Sequence, residues 1–84
     1  MSLARPQLPT VGELVVATIK RIESFGAYVV LDEYNKEGLL HISEISSTWV
    51  RNIRNHVREG QKVVLQVLRV NPSHGQIDLS LRRV

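Results

Sequence analysis

Short segments in which apolar and polar residues alternate recur along this chain, and Gly, Pro, Asn or Ser residues separate them. Because successive side chains of a β-strand point to opposite faces, this alternation predicts half-buried strands. We expect five strands, over residues 12–22, 27–32, 38–42, 62–70 and 76–83. The alternation breaks at Lys20, Arg21 and Ile22, which predicts a bulge of the kind found where a small barrel closes.

The segment between the third and fourth predicted strands has a helical pattern, because its apolar residues recur at helical spacing after residues that favour helix N-caps. The apolar residues are Trp49, Val50, Ile53 and Val57, and the N-cap candidates are Ser46, Ser47 and Thr48. We expect a short helix that ends near Gly60. Five strands with one short helix between strands three and four outline an all-β oligonucleotide-binding (OB) barrel, whose strands two and three form the usual ligand surface.

The chain is long enough for one small domain, since it has 84 residues. Its first ten residues contain Pro6 and Pro9 and show little hydrophobic pattern, so we predict a flexible leader over residues 1–10 and one domain over residues 11–84. No apolar run approaches the ~20 residues of a membrane span, and the start of the chain does not resemble a signal peptide. We therefore expect a cytoplasmic protein without a membrane partner.

The reactive side chains do not indicate an enzyme. The chain has no cysteine, and no two of its histidines have a spacing that would bring them to one metal ion. Those histidines are His41, His56 and His74. The carboxylates Asp32, Glu33 and Glu37 lie near a predicted loop without a nearby histidine, so a solvated acidic edge is expected there. We predict no catalytic residue, no metal site and no cofactor.

Charge is segregated along the sequence. Residues 1–22 carry a net charge of +2, residues 23–46 carry −4 and residues 47–84 carry +5, which gives +3 in total. Such a surface can bind an anion with one region, although charge also keeps small domains soluble. One arginine stripe in the basic third segment is either a secondary patch for RNA or ribosome contact or a solvated helix face. It comprises Arg51, Arg54 and Arg58.

The second and third strands carry rings that the alternation places outside the barrel. If the odd-numbered residues of 27–31 point into the core, Tyr28 points out, and Phe25 lies exposed at the turn that Gly26 permits. His41 joins the same outer face. Rings displayed on a sheet in a basic chain form a platform for unpaired bases. We predict that Phe25 and Tyr28 stack bases and that His41 stacks or donates a hydrogen bond. The side chains predicted to meet phosphates are Lys20, Arg21 and Arg82.

Four motifs resemble the S1 RNA-binding domain family in order and spacing, over roughly residues 12–84. They are Phe25-Gly26-Ala27-Tyr28, Gly38-Leu39-Leu40-His41-Ile42-Ser43, Gly60-Gln61 and Ile77-Asp78-Leu79-Ser80-Leu81. S1 domains bind RNA through two aromatic residues and a histidine that match Phe25, Tyr28 and His41, with help from a basic residue that matches Arg82. The resemblance therefore implies an S1-type barrel in which these side chains contact RNA.

Finer motifs resemble the N-terminal domain of the alpha subunit of archaeal and eukaryotic translation initiation factor two. They are Leu31-Asp32-Glu33-Tyr34-Asn35, Ser43-Glu44-Ile45-Ser46, Val50-Arg51-Asn52-Ile53-Arg54 and Ile77-Asp78-Leu79-Ser80-Leu81-Arg82-Arg83-Val84. In that family further domains follow, and the last joins the gamma subunit of a heterotrimer that carries initiator tRNA to the small ribosomal subunit. The resemblance implies that this chain is a fragment. Its implied partners are transfer, messenger or ribosomal RNA and the small ribosomal subunit, with the gamma subunit contacted only through domains absent here.

The resemblance also concerns Ser46. In eukaryotic members the matching loop serine is a phosphorylation switch, but Ser47, Thr48 and Trp49 stand where those members have an arginine run. A phosphate on Ser46 would be electrostatically favourable at a helix N-terminus, as it is for many serines that are never modified. An N-cap or loop role for Ser46 is therefore preferred over modification.

Two alternatives stay open beside an RNA-binding initiation factor domain. In the first, the barrel is a protein-interaction module within a ribosome-associated complex, and Phe25 and Tyr28 are packing or docking residues. In the second, it is the S1 domain of another RNA-processing protein. Salt dependence separates RNA from protein partners. Binding that depends on neutralising phosphates weakens steeply as salt is added, whereas apolar docking of a protein does not.

Overall fold

Five strands close into a barrel in this computed structural model, which describes residues 8–84. The neighbours around the barrel are β1-β2-β3-β5-β4, with β4 pairing back to β1. All pairs are antiparallel except β3 with β5. The strands are β1 Leu14–Glu23, β2 Gly26–Leu31, β3 Lys36–His41, β4 Lys62–Asn71 and β5 Gln76–Ser80. The predicted all-β, five-stranded OB-type barrel is confirmed.

The core follows the predicted alternation. In β1, Val15, Ala17 and Ile19 are buried, whereas Val16 and Lys20 are exposed. Burying alternate residues on five strands gives one continuous apolar interior. The barrel residues of this interior are Val15, Ala17, Ile19, Ile22, Ala27, Val29, Leu31, Leu40, Leu65, Val67, Ile77 and Leu79.

The predicted bulge in β1 is present at Lys20. Ile19 pairs with Val29 and Arg21 pairs with Tyr28, so Lys20 has no partner of its own in that register. One extra residue shifts the alternation by one position and returns Ile22 to the buried side.

The helix predicted between the third and fourth strands does not form. Two single 3₁₀ turns stand in its place, Ile42–Glu44 and Ile53–Asn55, and the remainder is irregular. The second turn is capped by Asn52, whose Oδ1 accepts the Arg54 N–H at 3.1 Å. Such local side-chain bonding competes with helix propagation. No helix among residues 8–84 has the length and apolar composition needed to cross a membrane.

The apolar residues of this segment are buried, except one. Val50, Ile53 and Val57 pack into the core, but Trp49 is 81% exposed. Because three side chains anchor an irregular segment to the barrel, a helix is not needed to bury them. We call residues 45–61 the arginine loop.

Two strand ends differ from the prediction. The third strand begins at Lys36 because the turn before it is short, with Asn35 in the left-handed region at φ 54°. The fifth strand ends at Ser80 and not at residue 83, because the N–H groups of Leu81 and Arg82 both donate to the Glu44 carbonyl. Arg82 therefore follows the strand.

The predicted leader, residues 1–10, falls mostly outside the described residues. Of its last three residues, Leu8 packs against the core and Pro9 is buried. Thr10 donates its N–H to the Glu13 carboxylate at 3.0 Å.

Candidate nucleic-acid interface

One row of paired residues crosses the outside of all five strands. Arg21 on β1 pairs with Tyr28 on β2, which pairs with Leu39 on β3. Leu39 pairs with Asp78 on β5, which in turn pairs with Arg69 on β4. The row has an arginine at each end, with an aromatic residue, an aliphatic residue and a carboxylate between them, and that carboxylate, on Asp78, lies 4.0 Å from Arg69 Nε. It can offer apolar surface to a base at its centre and cations to phosphates at both ends.

Phe25 and Tyr28 lie together at one side of this row. Their ring centroids are 5.9 Å apart and their planes meet at 86°, an edge-to-face contact. Phe25 is 42% exposed, and Tyr28 is half-buried. The guanidinium carbon of Arg21 lies 4.5 Å from the Tyr28 ring centroid, so Arg21 covers part of that ring. The two rings therefore do not form one flat platform, and Phe25 is the more open of the two.

Gly26 brings His41 beside the aromatic pair. Gly26 and His41 are opposite each other in the β2–β3 pairing, and the Ile42 N–H donates to the Phe25 carbonyl at 2.9 Å. A Cβ built on Gly26 would overlap the Leu40 carbonyl oxygen and lie 3.0 Å from the His41 Cα. Only glycine allows this close approach of the two strands. We call the outer surface of Phe25, Tyr28 and His41 the aromatic face.

Ser43 orients the His41 ring. The Ser43 N–H donates to His41 Nδ1 at 3.2 Å, and the Ser43 hydroxyl lies 2.8 Å from the same nitrogen. An Nδ1 that accepts from the backbone leaves Nε2 to carry the ring proton of the neutral imidazole. His41 is exposed, so this Nε2–H is free to donate to a ligand.

The predicted phosphate contacts surround the aromatic face, but each pairs with a carboxylate. Lys20 bonds Glu37 at 2.9 Å, and Arg21 bonds Glu23 at 2.8 Å. These pairs are well exposed to solvent, so their net stabilisation is small. A phosphate that binds here exchanges with a carboxylate or shares the cation with it.

Arg82 is held more firmly, in a cluster around Glu44. Glu44 Oε1 lies 3.2 Å from Arg82 Nε and 3.0 Å from Arg83 Nε, and it accepts the hydroxyl of the buried Ser80 at 2.8 Å. The hydrogen bond from Arg83 lowers the pKa of Glu44, with further lowering by Ser80 and the Arg82 charge, against partial burial that raises it. Glu44 thus fixes the chain just beyond β5.

Two shallow depressions run along the outer row and share Leu39 and Gln76. One, of about 350 Å³, is also lined by Tyr28 and Gly38. The other, of about 300 Å³, also contains His41. The remaining lining residues are Glu37, Gly75 and Ile77 in the first depression, and Ser43, Glu44, Leu68, Arg69, Asp78 and Leu79 in the second. Together they form a groove from the aromatic face toward β4 and β5.

Sequence reasoning missed Arg69 as a residue of this groove. Strict alternation along β4 would place Arg69 on the same side as the buried Leu65 and Val67. The β4–β5 register shifts between Val67 and Arg69, and this irregularity turns Arg69 outward. A charged residue at a position that alternation predicts to be buried was the sequence signal of a second bulge.

The arginine loop lies beside the barrel. Arg51, Arg54 and Arg58 are all exposed, as predicted, although on an irregular loop and not on a helix face. The Arg51 guanidinium carbon lies 5.6 Å from the Trp49 ring centroid. Ser46 stabilises a local turn instead of capping a helix, because its Oγ accepts the Thr48 N–H at 3.2 Å.

The acidic edge is engaged in ion pairs. Asp32 bonds Lys62 and the Thr18 hydroxyl, and these hydrogen bonds lower its pKa. Glu37 bonds Lys20. Within the described part of the chain, no three His, Asp or Glu side chains are grouped in a way that could hold a metal ion.

Residues 8–82 match the S1 RNA binding domain family. The chain belongs to that family, whose barrel this structure has. It is 63% identical over 79 residues to translation initiation factor 2 subunit alpha of Pyrococcus furiosus, an alignment that covers 93% of this chain and 29% of the relative. The chain thus spans less than a third of the length of that relative.

Solved structures agree with this relationship. The intact alpha subunit of aIF2 from Pyrococcus abyssi has a TM-score of 0.92 and 60% identity, covering 95% of this chain and 31% of that one. The complex of a/eIF2alpha with aDim2p and rRNA from Pyrococcus horikoshii has a TM-score of 0.89 and 63% identity, covering 92% and 46%. The predicted resemblance to S1 domains, and among them to this alpha subunit, is confirmed.

Proposed function

We propose that this chain is a non-enzymatic RNA-binding domain of a translation initiation factor alpha subunit, and that it binds single-stranded RNA on the aromatic face. One observation carries the proposal: exposed rings and basic side chains share one side of the barrel, along a groove. Phe25 and Tyr28 stack bases, and His41 donates a hydrogen bond from Nε2. Stacking on one ring is worth about 1 to 3 kcal/mol when a base rests on it.

Phosphates are contacted from the rim of the aromatic face by Lys20, Arg21 and Arg82. Each of these cations has a carboxylate partner in the free chain, so RNA binding includes an exchange of partners. This exchange offsets part of the electrostatic gain. We therefore expect weak binding by the single domain, with tighter binding when other contacts raise the effective concentration.

The wider role follows from the relatives. The solved relative from Pyrococcus horikoshii is in a complex with rRNA, and the P. furiosus relative is an initiation factor subunit. We infer that this domain acts in the cytoplasm, contacts transfer, messenger or ribosomal RNA at the small ribosomal subunit, and contributes to initiator tRNA delivery. The gamma subunit is reached through other parts of the complete protein.

The test is an NMR titration of the 84-residue chain with a single-stranded RNA of about six nucleotides. It is made at about 50 mM and about 200 mM salt. We expect shifts that cluster on Phe25, Tyr28, His41 and Arg82 and that decrease with salt. The Phe25→Ala, Tyr28→Ala double variant should lose them while staying folded.

A matched control removes exposed apolar surface elsewhere. Leu14 and Val64 are exposed on the outer side of the β1–β4 pair, and the Leu14→Ala, Val64→Ala double variant should bind RNA normally. Equal shifts in the aromatic variant and the native chain would overturn the proposal.

A second candidate function is protein docking, which the apolar surface around Leu14 and Val64 favours. Val11, Leu14, Val16 and Val64 are all exposed, and the last two are paired residues of β1 and β4. Exposed aliphatic surface of this kind suits protein docking. A partner bound there would respond weakly to salt and would be lost in the Leu14→Ala, Val64→Ala variant, whereas RNA binding would not.

A further inference from the structure

Trp49 is the most exposed large apolar side chain among residues 8–84, at 81%. It lies on the arginine loop and borders a shallow depression of about 220 Å³. The other residues lining that depression are Ile42, Ser43, Thr48 and Val50. A side chain this exposed adds little to the core, and an open face of its ring can take a planar ligand.

The loop holds this tryptophan on a defined support. Its neighbour Val50 is buried, and so is Ile53, the first residue of the second 3₁₀ turn. The Asn52 cap fixes the backbone between them. An exposed ring between anchored neighbours is partly pre-organised, which lowers the entropic cost of binding.

The arginines beside Trp49 differ from the cations around the aromatic face. Among residues 8–84, Arg51, Arg54 and Arg58 form no ion pair, whereas Lys20, Arg21 and Arg82 each pair with a carboxylate. Arg51 instead lies 5.6 Å above the Trp49 ring. Phosphates at the loop arginines therefore displace no carboxylate.

The carboxylates near these arginines already have partners. Glu23 borders the same depression as Arg51 and Arg54, and it pairs with Arg21. Glu59 borders a depression with Arg58, and its carboxylate accepts the Ile22 N–H at 3.4 Å. With three arginines and Glu59 as its one carboxylate, the loop carries a surplus of positive charge, which complements a polyanion.

The Trp49 site is continuous with the aromatic face. Ile42 follows His41 in the chain and lines both the Trp49 depression and the depression of Arg51 and Arg54. Ser24, which precedes Phe25, lines the second of these. A single-stranded RNA that continues beyond the aromatic face thus meets the loop arginines and Trp49 without crossing the barrel.

We propose that Trp49 and Arg51 form a second base-stacking site for single-stranded RNA, with Arg54 and Arg58 contacting the phosphates of the strand that continues from the aromatic face. This inference rests on the proposed function and extends it by additional nucleotides. An unpaired base stacks on the Trp49 ring, and Arg51 either sandwiches the base or moves to a phosphate.

The experiment uses Trp49 as its own reporter, because it is the only tryptophan of the chain. Single-stranded RNAs of about six and about twelve nucleotides are titrated against the 84-residue chain, with fluorescence and NMR shifts as readouts. Only the longer RNA should quench Trp49. Trp49→Ala should lower the affinity for the longer RNA by about 5- to 150-fold and leave the affinity for the shorter RNA unchanged. Trp49→Phe, which keeps a ring, should retain most of the affinity.

The loop arginines are tested separately. The salt slope is the change in the logarithm of the RNA-binding constant with the logarithm of salt concentration. The Arg51→Gln, Arg54→Gln double variant should reduce this slope for the longer RNA by about 0.7 for each phosphate that is no longer neutralised. Lys36→Gln, on β3, should leave the slope unchanged. If the shorter RNA does not bind the aromatic face, the proposed function fails. If the shorter RNA binds, but the longer RNA leaves Trp49 fluorescence unchanged and binds Trp49→Ala as tightly as the native chain, only this inference is overturned.

Discussion

The guanidinium group of Arg21 lies 4.5 Å from the centre of the Tyr28 ring, while its Nε bonds Glu23 at 2.8 Å. Arg21 therefore covers an aromatic surface and carries a charge for phosphates at the same place. These two roles have opposite consequences for RNA affinity when the side chain is removed.

We expect the phosphate role to dominate. Arg21→Gln should weaken RNA binding about two- to fivefold and reduce the salt slope by about 0.7, because one exposed cation no longer neutralises a phosphate. Affinity is measured across a salt series, with Lys36→Gln as the charge-matched control. A rise in affinity with Arg21→Gln would mean that its cover over Tyr28 matters more than its charge.

The carboxylates beside the aromatic face should inhibit binding. Glu37→Gln removes the partner of Lys20 and one negative charge, so RNA affinity should rise by up to about fivefold. Asp32→Asn removes the same charge but releases Lys62, which is not among the expected RNA contacts, and it should change affinity less. Isothermal titration of both variants with the same RNA checks this, and equal effects would contradict a specific role for the Lys20–Glu37 pair.

Gly26 should be sensitive to a single added methyl group. Gly26→Ala places a Cβ against the Leu40 carbonyl oxygen, which belongs to the backbone and cannot rotate away. We expect a loss of about 3 kcal/mol in the free energy of unfolding. Gly75→Ala is the control, since Gly75 has open space but a φ of 64°, and it should cost about 1 kcal/mol. Urea unfolding of both variants gives the comparison, and similar losses would show that the close strand approach is not the cause.

Acid should weaken the cluster beyond β5. The pKa of Glu44 lies below its usual value of 4.5 in the folded chain, so its contribution to stability is complete above that pH and is lost as the pH falls through the lowered pKa. Glu44→Gln should cost about 1 to 2 kcal/mol at pH 7 and flatten the acid limb of the stability curve.

The remaining acid sensitivity should come from Asp32 and Glu13, whose pKa values are also lowered. Glu37→Gln provides the matched control for Glu44, because its ion pair is exposed and should change stability by less than about 1 kcal/mol. Thermal unfolding between about pH 3 and pH 7 measures both. An unchanged acid limb in Glu44→Gln would contradict the assigned role.

The barrel was predictable because period-two alternation reports burial directly, and residues 14–19 and 27–31 follow it. The predicted helix was wrong. Its apolar residues have helical spacing, but an irregular loop buries three of them and leaves Trp49 exposed. Spacing alone does not reveal that Asn52 caps a single turn or that Trp49 lies in water. The aromatic face follows from local sequence, since Phe25 and Tyr28 flank one glycine turn.

The charge pairing around that face depends on long-range register. Lys20 and Glu37 lie on β1 and β3, which both pair with β2. Their contact depends on that shared neighbour and on the bulge at Lys20. Arg69 reaches the outer row only through a shift in β4. Periodicity signals the irregularity at Arg69, but neither the Lys20–Glu37 pair nor the place of Arg69 in the outer row follows from it, because both require knowing which strands are neighbours.

The parallel contact between β3 and β5 has a consequence for how this chain is made. It joins Leu39 and Leu40 to Asp78 and Leu79, some forty positions later in the sequence. During synthesis the first three strands can pair as they leave the ribosome, but one edge of β3 stays open until β5 has emerged. For that interval the nascent chain exposes Leu40 and Val29, which are buried in the finished barrel, so the half-made barrel is open to aggregation until β5 closes it.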